Sequence, residues 1–165
     1  MKVLVVDDDT SVRESVSKVL NEEGYDAVLA ADGDAALKQF ATREIDLLLL
    51  DLGLPIKSGW DVFEQITTEN PFVPIIIITG QADQYRAAVA AGVGALMEKP
   101  LDVPRLLQTI QDLLAEPKET RLRRLCGQGG EVRHIPSSAA AFLKHLREQS
   151  EKPYRFKVPH SRNFP

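Results

Sequence analysis

The sequence predicts a doubly wound α/β fold, in which helices cover both faces of a parallel β-sheet. Residues 45–51 (IDLLLLD) and 74–79 (PIIIIT) carry continuous apolar runs without polar alternation. Such runs are typical of strands that are buried on both faces. Strand patterns also alternate with helical apolar spacing along residues 1–115. Because each connection contains a helix, we expect parallel strands joined by right-handed crossovers.

The pattern predicts five strands and five helices. Thr10 or Ser11 is expected to cap the first helix and Gly24 to end it. The Asn70-Pro71 pair ends the third helix. The predicted strands are residues 2–6, 25–30, 45–51, 74–79 and 95–98. The later predicted helices are residues 34–41, 59–69, 83–91 and 103–114.

Composition limits the class of protein. With 165 residues, of which 44% are hydrophobic, the chain can bury a sizeable core. The single cysteine, Cys126, excludes an internal disulfide and fits a reducing cytosol, so we expect a cytoplasmic protein. The apolar run at the N-terminus is too short for a signal peptide, and no run approaches the roughly 20 residues of a membrane span. We therefore expect no membrane partner.

Charge is distributed unevenly along the chain. Residues 1–115 contain 9 Lys and Arg against 19 Asp and Glu, whereas residues 116–165 contain 11 against 5. An acidic body with a basic tail indicates that the two parts have different functions, or that the tail contacts the body. We predict a first domain at residues 1–116 and a basic C-terminal extension of unknown role at residues 117–165.

Polar side chains cluster where the predicted strands end. In a flavodoxin-like (βα)5 sheet with strand order 2-1-3-4-5, the carboxyl ends of strands one, three, four and five share one edge, where ligands bind. The residues at these ends are Asp7, Asp8, Asp9, Asp51, Thr79 and Lys99. Each of these residues alone is readily explained by chance. The occurrence of all of them at strand ends is much harder to explain in that way.

In this set of residues the sequence resembles the receiver domain of two-component response regulators. The matching pieces are residues 5–9 (VVDDD), Asp51 with residues 54–55 (LP) and Gly59, residues 78–80 (ITG), and residues 98–100 (EKP). The resemblance covers residues 1–115 and depends on the ordered set of four motifs.

The resemblance implies phosphoryl transfer to a carboxylate. Asp51 matches the nucleophile that attacks a phosphohistidine of a partner or a small phosphodonor. The cofactor would be Mg²⁺, which prefers oxygen ligands and binds through a few carboxylates plus phosphate. Asp8 matches its direct ligand, and Asp7 matches the neighbour that acts through a metal-bound water. Asp51 and the backbone carbonyl of Gly53 would complete the protein ligands.

The remaining site residues also follow from the resemblance. Lys99 matches the lysine that pairs with Asp51 and then with the phosphoryl group, and it precedes a bond to Pro100 that is usually cis. Thr79 matches the hydroxyl that bonds a phosphoryl oxygen and moves inward on phosphorylation. Gly80 leaves room for the phosphodonor. These residues would assist phosphorylation and dephosphorylation of the domain, which is a signalling phosphoacceptor rather than an enzyme.

Two positions depart from the family pattern. The residue three before Lys99 is often an aromatic ring that swings inward, but here it is Leu96, so the resemblance does not extend to that form of switching. Gly53, two residues after Asp51, supplies no side chain near the phosphoryl group. We also expect Asp9 to lie outside the ligand set, Glu98 to face solvent and Trp60 to serve in helix packing rather than as a ligand platform.

The tail leaves several functions open. Residues 121–125 (RLRRL) extend the last helix or start another, residues 132–135 form a short strand, and Ser137 or Ser138 caps a helix at residues 139–149. The favoured function is a response regulator that receives its phosphoryl group from a sensor histidine kinase or a histidine phosphotransfer protein and signals to a downstream protein.

Other functions and partners remain open. The alternative is a transcriptional regulator whose basic tail binds DNA, although one helix is little for a DNA-binding domain. A tail that folds back on the receiver, and a homodimer, are further options. An FMN carrier is disfavoured because the acidic cluster would repel the FMN phosphate.

Overall fold

A six-stranded parallel sheet forms the centre of the computed structural model, which describes residues 1–81, 83–128 and 132–137. The strands lie in the order β2-β1-β3-β4-β5-β6. Their bounds are β1 Lys2–Val6, β2 Asp26–Ala30, β3 Leu47–Asp51, β4 Ile75–Thr79, β5 Ala95–Glu98 and β6 Arg133–Ile135. The flavodoxin-like order 2-1-3-4-5 is therefore confirmed, and a sixth strand that the five-strand prediction did not place in the sheet extends it beyond β5.

Four helices connect the first five strands, and a fifth helix follows β5. They are α1 Thr10–Glu22, α2 Gly33–Thr42, α3 Gly59–Glu69, α4 Tyr85–Ala91 and α5 Val103–Leu114. A further helix, α6 Lys118–Leu125, follows α5 and precedes β6. None of the helices in the described ranges is long and apolar enough to cross a membrane.

The core lies on both faces of the sheet, as the apolar runs predict. All five residues of β3 and of β4 are buried. Alternate residues of each strand contribute to opposite clusters: Leu48 and Leu50 pack on one side, and Leu47 and Leu49 pack on the other. Burial of both faces fixes the position of the last residue of β3, Asp51, at the edge of the core.

Three helix ends differ in detail from the prediction. The cap of α1 is Asp9, whose carboxylate accepts from the backbone N–H of Ser11 and Val12, and not Thr10 or Ser11. Helix α2 begins at Gly33 because Asp32 caps it. Helix α4 begins at Tyr85 and not at residue 83, because Asp83 has a left-handed φ of 63° that no α-helix continues. The predicted ends of α1 and α4 at Gly24 and Gly92 are confirmed, both with positive φ.

Helix α6 is a separate helix, one of the two options that residues 121–125 left open. Arg124 forms two hydrogen bonds with Glu116, at 2.7 and 2.6 Å, and both side chains are buried. Arg121 donates to the backbone carbonyls of Leu113 and Phe72. These buried charges join α6 to the end of α5 and to the segment before β4.

The described part of the tail folds back on the body of the protein. The predicted short strand at residues 132–135 is β6, which pairs with β5 in register Leu96 to His134. Glu98 was expected to face solvent, but its carboxylate accepts from the backbone N–H of Ser137 and bonds His134. The predicted helix at residues 139–149 lies outside the described residues. The division into residues 1–116 and 117–165 stays a prediction.

Candidate functional site at the carboxyl edge of the sheet

The carboxyl ends of four adjacent strands bring together the polar residues that the sequence singles out. Asp7 and Asp8 follow β1, Asp51 ends β3, Thr79 ends β4 and Lys99 follows β5. Neighbouring strands are paired in register, with Val6 opposite Leu50 and Thr79 opposite Glu98. Because these strands are parallel, their ends meet at one edge and the side chains converge.

Lys99 joins the two buried carboxylates. Its ammonium Nζ lies 2.6 Å from Asp51 Oδ2 and 2.7 Å from Asp7 Oδ2. The second oxygen of each carboxylate accepts from the backbone: Asp51 Oδ1 from Gly53 N–H at 3.0 Å, and Asp7 Oδ1 from Asp9 N–H at 2.9 Å. Each carboxylate is thus held in one orientation, with one oxygen directed at the lysine.

The charge of Lys99 depends on these carboxylates. Burial by itself would lower the pKa of Lys99, but the hydrogen bond to Asp51 and the pairing with Asp7 outweigh it, so the pKa of Lys99 lies above its ordinary value. The lysine is therefore a cation throughout the physiological range, and its positive charge offsets part of the repulsion between the Asp7 and Asp51 carboxylates.

Three carboxylates fit a divalent cation. Asp7, Asp8 and Asp51 each offer an oxygen, and these oxygens lie within 4.8 Å of one another. Asp7 Oδ2 is buried and, among the described residues, makes no directed hydrogen bond, having only the ion pair with Lys99. Asp8 is exposed beside it. An all-oxygen donor set with an accessible side matches the chemistry of Mg²⁺.

Thr79 and Gly80 border the open side of the site. The Thr79 side chain is buried, and its Oγ1 accepts from the backbone N–H of Gln81 at 2.9 Å. Among the described residues, no atom lies within 4 Å of a methyl group built on Gly80. The room that Gly80 leaves for the phosphodonor stays a prediction, and the Thr79 hydroxyl proton has no acceptor in the part of the chain that the structure describes.

Two glycines shape the loop after Asp51. A Cβ at Gly59 would lie 2.3 Å from the backbone oxygen of Asp51 and 2.7 Å from Cα of Leu52, so this position requires a glycine. Gly53 lies next to the Asp51 carboxylate, because a Cβ there would sit 3.6 Å from Asp51 Oδ1. The Asp51 backbone is thus packed closely against Gly59, and its carboxylate lies next to Gly53.

Arg13 is a neighbour of the site that sequence reasoning missed. Its guanidinium donates to the backbone carbonyl of Asp7 at 2.6 Å and to Thr10 Oγ1 at 3.0 Å. Long side chains in a helix point back toward its N-terminus. The sequence signal that could have identified Arg13 was a basic residue at the start of the helix that follows the three aspartates.

Residues predicted to lie outside the ligand set are placed as follows. Asp9 caps α1, and its two backbone hydrogen bonds lower the pKa of its carboxyl group. Trp60 packs against the core beside α3, as the helix-packing prediction expects, and edge-on against Phe63 with ring centroids 5.6 Å apart. Leu96 is 2% exposed and belongs to the core. The Lys99-Pro100 bond is cis, as predicted.

Comparison with known families identifies the chain. The sequence model of the response regulator receiver domain matches residues 3–111, most of the chain and all of the site. The chain belongs to the response regulator receiver family. It is therefore a receiver domain of the two-component signalling type, with a flavodoxin-like fold, and the resemblance noted in its motifs is confirmed.

Curated relatives of this receiver are larger response regulators. The transcriptional regulatory protein ZraR of Salmonella typhimurium is 34% identical over 146 residues, which cover 87% of this chain and 33% of that protein. The response regulator MprA of Mycobacterium avium is 35% identical over 120 residues, which cover 72% of this chain and 53% of that protein. The chain thus spans between a third and about half the length of these relatives.

Solved structures of receiver domains share the fold. A CheY-like receiver domain protein from Methanospirillum hungatei superposes with a TM-score of 0.67 at 31% identity, over 72% of this chain and 95% of that one. The response regulator TrrA of Thermotoga maritima, in complex with Mg²⁺ and BeF, gives a TM-score of 0.64 at 29% identity, over 68% of this chain and 97% of that one.

Proposed function

We propose that this receiver accepts a phosphoryl group on Asp51 from a phosphohistidine and signals through protein contacts. The donor is a sensor histidine kinase or a histidine phosphotransfer protein. The observation that supports this proposal best is the pairing of Lys99 with both Asp51 and Asp7, beside the open space at Gly80. A nucleophilic carboxylate oriented by a cation, with access from one side, is suited to phosphoryl transfer.

The transfer step makes one bond and breaks one bond. An Asp51 carboxylate oxygen attacks phosphorus, the new P–O bond forms as the P–N bond of phosphohistidine breaks, and the imidazole nitrogen of the partner leaves with the electron pair. The Lys99 ammonium then pairs with a phosphoryl oxygen, and the Thr79 hydroxyl donates to another. Catalysis is mainly positioning and charge stabilisation, and the packed backbone of β3 supplies the positioning.

We assign Mg²⁺ to the acidic cluster. Asp7, Asp8, Asp51 and the backbone carbonyl of Gly53 would hold it, and when bound it supplies positive charge to the phosphoryl oxygens. Asp7 and Asp51 are each held by a backbone hydrogen bond through one oxygen. Asp8 has no hydrogen-bond or ion-pair partner among the described residues, so its exposed carboxylate can turn toward a ligand.

Intact mass spectrometry tests this proposal. The full chain incubated with acetyl phosphate and Mg²⁺ is expected to gain the mass of one phosphoryl group, and the Asp51→Asn variant is expected to gain none. The Asp46→Asn variant, which removes an acid of the preceding loop, is the matched control and should gain mass like the wild type. An equal gain in Asp51→Asn would exclude Asp51 as the acceptor.

DNA binding by the basic tail is a second candidate function. The printed names of relatives such as ZraR describe transcriptional regulatory proteins, which favours it. Two of the tail arginines, Arg121 and Arg124, are buried against Glu116 and are not available to phosphates. Steep loss of DNA affinity with salt would support this function, and no binding at low salt would reject it.

The remaining partners and the location complete the proposal. A downstream protein reads the phosphorylated state, and a homodimer is left open. The single cysteine fits a reducing cytosol, so we place the protein in the cytoplasm.

A further inference from the structure

The tail covers the edge of the sheet next to the site. Residues 132–137, which we call the strap, contain β6, a parallel strand paired with residues 95–97 of β5. Val132 and Ile135 are 5% and 9% exposed and anchor the strap in the core. A three-residue strand at the edge of a sheet is short, and short edge elements open at a lower free-energy cost than central strands.

Glu98 links the strap to the site through β5. Its Oε1 lies 2.9 Å from His134 Nε2, and its Oε2 accepts from the backbone N–H of Ser137 at 3.2 Å. The next residue along the chain is Lys99, whose ammonium contacts Asp51 and whose N–H donates to the Thr79 carbonyl at 2.8 Å. The carboxylate that holds the strap is therefore one peptide bond from a residue of the site.

Tyr85 links the strap to the site through α4. Its ring packs on the His134 ring, with centroids 5.1 Å apart and planes inclined by 36°. Tyr85 is the first residue of α4, and five residues separate it from Thr79, the last residue of β4. His134 therefore contacts two elements that flank predicted phosphoryl-binding residues in the chain: β5, which Lys99 follows, and α4, which Thr79 precedes by six positions.

We propose that the strap is released from β5 when Asp51 is phosphorylated, an inference that rests on the proposed function. Inward movement of the Thr79 hydroxyl toward the phosphoryl group draws the following segment with it and separates Tyr85 from His134. Redirection of Lys99 from Asp7 to the phosphoryl group shifts Glu98 next to it. The Glu116–Arg124 pair holds α6 in place, so opening stops at the strap and exposes the backbone edge of β5.

Hydrogen exchange on the full chain tests the release. With beryllofluoride and Mg²⁺, the backbone amides of residues 132–135 and of Ser137 are expected to exchange at least about fivefold faster, the lower end of ordinary allosteric coupling. The amides of β3, buried in the centre of the sheet, should not change. If the protein gains a phosphoryl group from acetyl phosphate but the strap exchanges at an equal or slower rate, the proposed release of the strap is overturned and the proposed function is not. Absence of that mass gain would overturn the proposed function and, with it, the proposed release of the strap.

A variant pair tests the same coupling in the opposite direction. Coupling between two equilibria is reciprocal, so loosening the strap must favour the phosphorylated state. His134→Ala removes the contacts with Glu98 and Tyr85 and is expected to bind beryllofluoride at least about fivefold more tightly. Arg133→Ala, in the same strand, removes only a solvent-exposed ion pair with Asp112 at 3.7 Å, which contributes little to stability, so it is the control and should bind like the wild type. Unchanged affinity in His134→Ala would overturn the proposal.

Discussion

The acidic residues at the site differ in what each can do. Asp7 and Asp51 are buried and fixed by backbone N–H groups and by Lys99, whereas Asp8 is exposed. Asp9 is occupied as the cap of α1. Of the three consecutive aspartates, Asp7 is therefore a carboxylate fixed in position, Asp8 is a carboxylate that can turn toward a ligand, and Asp9 is the cap of a helix.

Asp8→Asn is expected to weaken Mg²⁺ binding by about tenfold or more, because it removes one of three carboxylates without disturbing the buried pair. Asp9→Asn is the matched control, since Asn caps helices as well as Asp does. The measurement is the increase in the free energy of unfolding that Mg²⁺ produces in urea titrations. Equal losses in both variants would contradict the assignment of Asp8 as a ligand.

Lys99→Met is expected to lower the free energy of unfolding at neutral pH by about 1–3 kcal/mol, because two buried carboxylates lose their cation. The pKa of Lys99 is raised in the folded state. Its stabilising effect is therefore fully present below the unfolded pKa of about 10.4 and is lost as pH rises through the higher folded pKa.

The difference in unfolding free energy between wild type and Lys99→Met should thus be constant from about pH 8 to about pH 10 and shrink above that. Lys18→Met, at an exposed position of α1, is the control and should change stability by less than about 0.5 kcal/mol. A difference that grows with pH would contradict the ion-pair role of Lys99.

The loop between β3 and α3 requires a glycine at position 59. Gly59→Ala would place a methyl group 2.3 Å from the Asp51 carbonyl, so we expect a loss of about 1–3 kcal/mol of stability and slower phosphorylation. Gly80→Ala, with open space around it, should keep stability within about 0.5 kcal/mol. Urea unfolding of both variants distinguishes them, and equal stability would contradict the close approach.

Helix α6 depends on a buried carboxylate. Glu116→Ala leaves the Arg121 and Arg124 guanidinium groups buried without their anion, with an expected loss of about 3–5 kcal/mol at neutral pH. Burial by itself raises the pKa of Glu116, but the bonds from Arg124 and then Arg121 outweigh it and the pKa is lowered. The stabilisation is present above the unfolded pKa of about 4.3 and is lost as pH falls through the lower folded value.

The control for this prediction lies in the same helix. Glu119→Ala, at an exposed position in the first turn of α6, should cost less than about 1 kcal/mol. Chemical denaturation from pH 7 downward gives the comparison. A similar cost for both variants, or a Glu116→Ala cost that increases in acid, would rule out the buried ion pair.

Local sequence signals predicted the first five strands and helices well, because each has its own period, cap or breaking residue. They missed Asp9 as the cap of α1 since Thr10 and Ser11 are equally good capping residues. They missed Glu98 because its partners, His134 and Ser137, lie far along the chain. A three-residue strand such as β6 carries too little pattern to reveal which strand it pairs with.

At the scale of the whole molecule, the body and the described tail form one continuous sheet. The predicted site residues Asp7, Asp8, Asp51, Thr79 and Lys99 meet at one edge because strand order places their strands side by side. The strap lies against β5, the strand that precedes Lys99. The described tail therefore pairs with the strand that leads into the candidate site.

The most direct test of the central claim is to locate the phosphoryl group. Borohydride reduces an aspartyl phosphate to homoserine, so the chain treated with acetyl phosphate and Mg²⁺, reduced and digested, reports the modified residue by fragment mass. We predict homoserine at position 51 in the wild type and none when Mg²⁺ is omitted. Homoserine at another aspartate, or a phosphoryl mass gain without any homoserine, would contradict phosphorylation of Asp51.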